Sequence, residues 1–153
     1  MQSGRVPSCT LDQFERNFAG RHLLHKVITW WAERKPNVPA IISHDRRQTV
    51  DWATLDRTST DIALELLELG FRKGDVLATS LLMSLEHIFL EYACFKIGVI
   101  HAPLDMRLKP PEVLRCLEIV KPKGFACLVP EQASMVKSAC SFVLIVLNIV
   151  VLG

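Results

Sequence analysis

Asp105 and Arg107 are the polar residues of this chain best placed to do chemistry, because they come directly after a predicted strand. Ligands of parallel α/β sheets bind outside the carboxyl ends of the strands, so a carboxylate and a guanidinium there could hold a charged substrate. The alternative is that Asp105 stabilises the turn after Pro103 and that Arg107 pairs with it. We favour the turn, and we predict no catalytic, cofactor-binding or metal-binding residue in this chain.

The five histidines and five cysteines do not have the spacing of a known metal or nucleophile motif. The sequence has no C-x-x-C pair, no histidine at zinc-ligand spacing and no recognisable nucleophile motif. His22 and His25 share a predicted helix face but lack the acid of H-E-x-x-H. The histidines are therefore predicted to be ordinary surface or packed residues: His22, His25, His44, His87 and His101. The cysteines are predicted to be reduced and mostly buried: Cys9, Cys94, Cys116, Cys127 and Cys140.

The composition fits one globular domain and excludes several classes of protein. At 153 residues the chain can bury one core, and 50% of it is hydrophobic, with a mean hydropathy of +0.25. A net charge of +2 implies no polyanionic partner, so we predict no nucleic-acid binding. Arg5, Pro7, Asp12 and Glu15 stand where a signal peptide would have an apolar run, and we predict a cytoplasmic protein.

Apolar periodicity and turn residues predict strands that alternate with helices. With their caps, the expected helices cover 22–35, 51–69, 84–97 and 110–121, and the expected strands cover 39–42, 48–50, 75–79, 99–102 and 125–129. The first two strands flank a polar turn and should form a small N-terminal hairpin. The later alternation predicts an α/β fold with an incomplete doubly wound, mostly parallel sheet and flanking helices.

Local signals mark the ends of the helices. Asp51 and Ser84 are expected to be N-caps, whose side chains accept from exposed backbone amides. Gly70 and Gly98 are expected to end their helices, and Lys96 lies in a last turn, where a cation suits the helix dipole. The buried face of the helix over 84–97 is expected to contain four residues: Leu85, Ile88, Tyr92 and Phe95.

Residues 70–108 carry the most informative motif pattern and read GFRKGDVLATSLLMSLEHIFLEYACFKIGVIHAPLDMRL. This stretch resembles the N-terminal region of the adenylate-forming (AMP-binding) ligases, which include acyl-CoA synthetases, peptide-synthetase adenylation domains and luciferases. The matching family patterns are G-x-x-x-G-D-x-V-A and L-K-x-G-x-x-x-x-P-L-D-x-R-L. The resemblance covers about residues 24–129 and implies an acyl-CoA-synthetase-like α/β domain.

Asp75 ends the segment Phe71-Arg72-Lys73-Gly74-Asp75, which is similar to a later motif of the same ligases, aromatic-R/K-T/S-G-D. In that motif the Asp binds the hydroxyls of the ATP ribose. Here Lys73 replaces the Thr or Ser, and a predicted strand follows directly, as at the earlier family position G-x-x-x-G-D. We therefore interpret Asp75 as a turn residue that accepts from local amides, and not as a ribose ligand.

The phosphate loop of the resembling family, S-G-T-T-G-x-P-K-G, does not occur in this sequence. The seven glycines are dispersed, whereas phosphate binding needs clustered glycines. The Y-G-x-T-E adenine segment and the C-terminal domain with the catalytic lysine are missing as well. The resemblance thus implies a truncated N-terminal portion of a carboxylate-activating ligase, inactive alone. ATP, Mg²⁺ and coenzyme A are implied for a complete family member, and no cofactor is predicted for this chain.

Residues 141–152 form an almost continuous apolar run, SFVLIVLNIVVL. A membrane-spanning helix needs about 20 apolar residues, so a buried strand is favoured over membrane contact or an aggregation-prone tail. We divide the chain into a lead-in segment (1–20), the N-terminal part of an AMP-dependent synthetase/ligase domain (21–129) and an apolar divergent tail (130–153).

Three alternatives to an inactive ligase portion stay open. The chain could be a non-catalytic α/β interaction module, one half of a split ligase, or an aberrant product without independent function. The expected partners are a chain that supplies the missing ligase portion, or a second copy of this chain.

Overall fold

The computed structural model describes residues 23–127 and the backbone of residues 143–146. In chain order the elements are α1 (Leu24–Arg34), β1 (Pro39–Ser43), β2 (Gln48–Asp51), α2 (Trp52–Glu68), β3 (Val76–Ser80), α3 (Leu85–Ile97), β4 (Ile100–Pro103), α4 (Pro110–Val120), β5 (Gly124–Cys127) and β6 (Val143–Val146). The predicted alternation of strands and helices is confirmed. The lead-in segment and the predicted strand positions 128 and 129 lie outside the described residues.

β1 and β2 pair antiparallel and form the predicted hairpin, with Ile42 opposite Thr49. The hairpin attaches to the helices through Val50, which is buried together with Ile28 of α1 and Leu55 of α2. The hairpin therefore packs against the helical layer and adds no strand to the larger sheet.

The larger sheet has the strand order β4-β3-β5-β6, and its neighbouring strands are all parallel. β3 lies inside this sheet, with Ala78 opposite Ala102 on one side and Phe125 on the other. β6 falls within the apolar tail and pairs with β5, Gly124 opposite Val143. The predicted parallel α/β sheet is confirmed, and the tail contributes a strand to it.

The two faces of the sheet carry separate hydrophobic clusters. Leu77 of β3 and Ala126 of β5 belong to a cluster with α2 and α3. Ala78 and Phe125, one position earlier or later on the same strands, belong to a cluster with α4. This alternation is the period of a strand that is covered on both faces.

The predicted caps are in place. The Asp51 carboxylate accepts from the backbone N–H of Thr54 at 2.8 Å, and Ser84 accepts from the N–H of His87 at 3.3 Å. Gly70 and Gly98 follow α2 and α3 with φ of 90° and 73°, in the left-handed region that favours glycine. Local sequence signals therefore determine these helix ends.

The predicted buried face of α3 is wrong in part. Leu85 is buried, but Ile88, Tyr92 and Phe95 are only half-buried. The buried apolar residues lie on two adjoining faces of the helix: Leu85, Phe89, Leu90, Ala93 and Cys94. The helix is apolar nearly all round because it packs against the sheet on one side and against α1 and α2 on the other, so a single stripe could not be chosen by periodicity.

Lys96 has a different partner from the one that its position in the last turn of α3 suggests. Its Nζ donates to Oδ1 of Asp56 at 2.7 Å, to the backbone oxygen of Asp56 at 3.0 Å and to Oγ1 of Thr60 at 2.7 Å, all on α2. Thr29 of α1 donates to the same Asp56 carboxylate at 2.9 Å. One carboxylate thus joins three helices.

Asp51→Ala should lower the free energy of unfolding by about 1 kcal/mol, because the first turn of α2 loses its side-chain cap. Chemical denaturation followed by circular dichroism measures the change. Asp61→Ala is the matched control, since Asp61 is an exposed residue in the interior of the same helix. Equal effects of the two substitutions would contradict the capping role.

Gly98→Val should cost more, about 1–3 kcal/mol, because a β-branched residue is strained at positive φ. A side chain there also meets a neighbour, since an ideal Cβ at Gly98 would lie 2.9 Å from Cγ of Lys73. Gly74→Val separates the two causes: Gly74 also has positive φ, but, apart from its two chain neighbours, no described residue has an atom within 4 Å of its ideal Cβ. Thermal melts in which Gly98→Val is as stable as the wild type would refute this account.

Candidate functional site

The carboxyl edge of the sheet is where the topology predicts ligands. β4 lies on one side of β3 and β5 on the other, so the strand order reverses at β3. In open α/β sheets ligands bind at such a reversal, outside the carboxyl ends of the strands. Here the edge is formed by the ends of β3 at Ser80, β4 at Pro103 and β5 at Cys127.

Asp105 and Arg107 lie at this edge and bind each other. The Arg107 guanidinium donates from Nη2 and Nε to the Asp105 carboxylate at 2.5 and 3.0 Å, and the Arg107 backbone N–H donates to it at 2.9 Å. These hydrogen bonds from the side chain and backbone of Arg107 lower the pKa of Asp105 to about 2. The geometry is that of the turn interpretation, and the pair is exposed to solvent.

Asp75 lies at the opposite, amino edge of the sheet and is engaged by two groups of this chain. It accepts from the backbone N–H of Arg72 at 2.7 Å, as the turn interpretation predicts. It also accepts from Nζ of Lys123 at 2.6 Å, a contact that sequence reasoning missed. The hydrogen bond from Lys123 is the main reason why the pKa of Asp75 lies below its ordinary value, with the Arg72 amide second. No local signal shows this contact, since 48 positions separate the two residues.

A carboxylate, an imidazole and a hydroxyl form a chain between α3 and the sheet. Nε2 of His101 lies 3.0 Å from Oγ1 of Thr79, and Nδ1 of His101 lies 3.7 Å from Oε1 of Glu91. The order acid, imidazole, hydroxyl is that of a nucleophile triad. Thr79, however, is 0% exposed and lies inside the sheet, so no substrate reaches its hydroxyl. The chain of groups is a packed structural element.

His87 contacts this group from α3. Its Nδ1 lies 3.3 Å from the backbone oxygen of Leu82, and its ring packs edge to face on that of His101, with centroids 5.2 Å apart. Burial lowers the pKa of His101; Glu91 raises it and His87 lowers it further. Both histidines are packed residues, as predicted. The pairing was missed because one lies on a helix and the other on the next strand.

Glu86 is a buried carboxylate in the first turn of α3. Burial raises its pKa, but the hydrogen bond from Arg46 of the hairpin opposes burial, and the resulting pKa lies below the ordinary value. Among the described residues, neither its buried Oε2 nor the buried Oγ of Ser80 has a hydrogen-bond partner. The contact between Glu86 and Arg46 fixes the hairpin turn on α3.

Other histidines and cysteines of the sequence analysis lie in the core, on the surface or outside the described residues. Burial raises the pKa of the Cys94 thiol to about 12, consistent with a small apolar core residue. His44 is exposed in the hairpin turn. Three residues lie outside the described ranges: Cys9, His22 and Cys140.

The described residues contain no cluster of several metal-ligating side chains. No group of three or more His, Cys, Asp or Glu residues could hold a metal within 23–127. Gly70, Gly74 and Gly98 form tight turns at the amino edge, and the carboxylates of Asp75 and Asp105 are bound by cations of this chain. Both carboxylates are therefore engaged within the chain.

The chain belongs to the AMP-binding enzyme family, whose family model matches residues 28–148. The resemblance found in residues 70–108 is thereby confirmed. Within the part of the chain that the structure describes, no helix is long and apolar enough to cross a membrane.

Curated relatives agree with this family. The chain is 30% identical over 103 residues to the propionate–CoA ligase of Salmonella typhimurium, covering 61% of this chain and 16% of the ligase. It is 33% identical over 85 residues to nonribosomal peptide synthetase 8 of Aspergillus fumigatus, covering 56% of this chain and 1% of that protein. The chain therefore spans only a small part of the length of these relatives.

Solved structures share the fold. The o-succinylbenzoate CoA synthetase of Bacillus subtilis, in complex with its acyl-adenylate intermediate, superposes with a TM-score of 0.70 at 27% identity, over 77% of this chain and 30% of that one. The complex of VinN with 3-methylaspartate superposes with a TM-score of 0.75 at 17% identity, over 81% of this chain and 34% of that one. The matched region is a similar α/β domain in both.

Proposed function

We propose that this chain is the N-terminal scaffold of a carboxylate-activating ligase and that it does not activate carboxylates alone. The observation that carries the proposal is the family match over residues 28–148. The complete reaction would join a carboxylate to AMP with release of pyrophosphate and then transfer the acyl group to a thiol. The likeness to a CoA synthetase bound to an acyl-adenylate supports this reaction class.

The proposed lack of independent activity is supported by the chemistry that adenylation needs. Nucleotidyl transfer depends on donors and cations that are aimed at developing phosphate charge. At the carboxyl edge of the described sheet, the exposed side chains of Asp105 and Arg107 bind each other, so the Arg107 guanidinium is already neutralised. The sequence also contains no S-G-T-T-G loop. A complete enzyme would supply these groups from other residues.

The cofactors proposed for the complete ligase are ATP, Mg²⁺ and coenzyme A. A structure of the o-succinylbenzoate CoA synthetase of Bacillus subtilis holds ATP and a magnesium ion, which supports the first two. The likeness to CoA ligases supports the third. We assign none of the described residues to these ligands.

The proposed partner is a polypeptide that supplies the rest of the ligase, with self-association as the alternative. β4 and β6 are the outer strands of the described sheet, and an outer strand offers unpaired backbone groups to another chain. A non-catalytic interaction module is the second candidate function. This second candidate is favoured because the Asp75 carboxylate is bound by Lys123 and the Asp105 carboxylate by Arg107. Both carboxylates therefore have structural roles.

The isolated chain should show no ATP–pyrophosphate exchange with any acid in a panel of fatty, aromatic and amino acids, because its sequence contains no phosphate-binding S-G-T-T-G loop. A complete CoA ligase with the same acids is the positive control. Exchange above background that is abolished by Asp105→Asn or Arg107→Gln would overturn the proposal. Those two variants test the exposed ion pair without touching the core.

Removal of residues 139–153 should destabilise the domain, because β6 pairs with β5 over four residues and its loss uncovers that strand. Thermal melts and sedimentation of the full chain and the shortened chain measure the effect. Removal of residues 148–153 is the matched control, since it leaves β6 in place. A shortened chain that melts as cooperatively as the full chain and is more soluble would mean that β6 is not an integral strand.

A further inference from the structure

We propose that the outer face of α1 is a docking surface and that its occupant is the segment over residues 11–18 of this same chain. This docking is independent of any ligase activity. Three observations support it: the exposed apolar side chains of α1, the spacing of the apolar residues that precede α1, and the charges at both places.

α1 buries little of its apolar surface. Of its 11 residues only Ile28 is buried, in the cluster that joins α1 to α2 and α3. The other side of the helix carries residues at i, i+4, i+7 and i+11, which we call the outer stripe: Leu23, Val27, Trp30 and Arg34. Leu23 is 42% and Val27 is 37% exposed, and Leu24 beside them is 57% exposed. An apolar stripe at this spacing is typical of a helix face that packs against another element.

Trp30 and Arg34 form the far end of the outer stripe. The Arg34 guanidinium lies over the half-buried Trp30 ring, 4.1 Å from its centroid. Nη1 of Arg34 is also 3.7 Å from Oε2 of Glu33, but both side chains are exposed, so this ion pair contributes little. This end of α1 therefore suits a partner that brings an apolar side chain and a carboxylate.

The segment that precedes α1 has the complementary pattern. Leu11, Phe14 and Phe18 recur at i, i+3 and i+7, so a helix over this segment would have all three on one face. Asp12 and Glu15 flank that face. The segment lies outside the described residues, and its amphipathic pattern comes from the sequence.

The short connection between the segment and α1 determines their relative direction. Residues 19–22 separate Phe18 from Leu23, which is within the usual length of a connection between two helices. Gly20 lies in this connection and supplies the backbone freedom for a reversal. The segment can therefore fold back antiparallel to α1. A helix over residues 11–18 would extend for about 10 Å and the outer stripe for about 16 Å, so the segment fits within the stripe.

Antiparallel docking brings complementary groups together. It places Phe18 near Val27 at the start of the outer stripe and Leu11 near Trp30 at its far end. The Asp12 carboxylate then approaches the Arg34 guanidinium, to which it is opposite in charge. The tether also favours this occupant over a second copy of the chain, because a short connection gives the segment a high effective concentration. A helix of this length is marginal in water, so its order depends on the docking.

The test measures amide hydrogen exchange of residues 11–18 in the full chain, in wild type, Val27→Ser and Leu64→Ser. Val27→Ser changes the outer stripe and leaves the segment intact, so it should raise the exchange rate of the segment about tenfold through lost apolar burial. Leu64→Ser is the matched control, since Leu64 is 54% exposed on α2 and does not belong to the outer stripe. It should leave that rate unchanged.

Two variants of the segment test the other side of the contact. Phe18→Ser should raise the same exchange rate by a similar factor, whereas Gln13→Ser, which lies off the apolar face, should not. Wild-type exchange of residues 11–18 at the rate of an unstructured peptide would overturn the proposal. Equal rates in Val27→Ser and Leu64→Ser would overturn it too. So would sedimentation of the wild type as a dimer that Val27→Ser dissociates, because a second copy would then cover the outer stripe.

Discussion

β3 is paired on both sides and covered on both faces, and the rest of the architecture follows from this constraint. Its four residues from Leu77 to Ser80 are buried, so each neighbouring parallel strand has to be reached by a crossover connection. β4 and β5 lie on opposite sides of β3, and right-handed crossovers therefore place α3 on one face of the sheet and α4 on the other. Leu77 and Ala78, adjacent in the chain, consequently belong to different hydrophobic clusters.

The helical layer over α3 is joined by polar contacts as well as by apolar burial. Lys96 and Asp56 form an ion pair whose side chains are 12% and 24% exposed, and Thr29 and Thr60 complete their hydrogen bonds. Removing one partner of such a pair leaves a poorly solvated charge, so the pair makes the relative position of α1, α2 and α3 specific. The packing of α3 in turn positions the first-turn residues Glu86 and His87 near the hairpin and the sheet.

The features that sequence reasoning predicted are those with local causes. The cap at Asp51 and the left-handed position of Gly98 depend on backbone groups within a few residues, and the strands follow from apolar runs between turn residues. The features that it missed are contacts across the fold: Arg46 with Glu86, Asp75 with Lys123, and His87 with His101. Their sequence positions carry no periodic signal, because each contact joins different elements of the fold. The face of α3 was misjudged for a related reason, since a helix that is covered on two sides has no single apolar stripe.

The polar groups at the carboxyl edge differ in whether their hydrogen-bonding capacity is already used within the chain. The Asp105 carboxylate has its hydrogen bonds from Arg107, so a developing negative charge on a substrate would compete with it for the same guanidinium. Ser80 differs, since its hydroxyl is buried at the end of β3 without a hydrogen-bond partner in the described part of the chain. Catalytic stabilisation of charge needs donors that are fixed in place and not already neutralised. One buried hydroxyl does not by itself replace the amides and cations that phosphate chemistry requires.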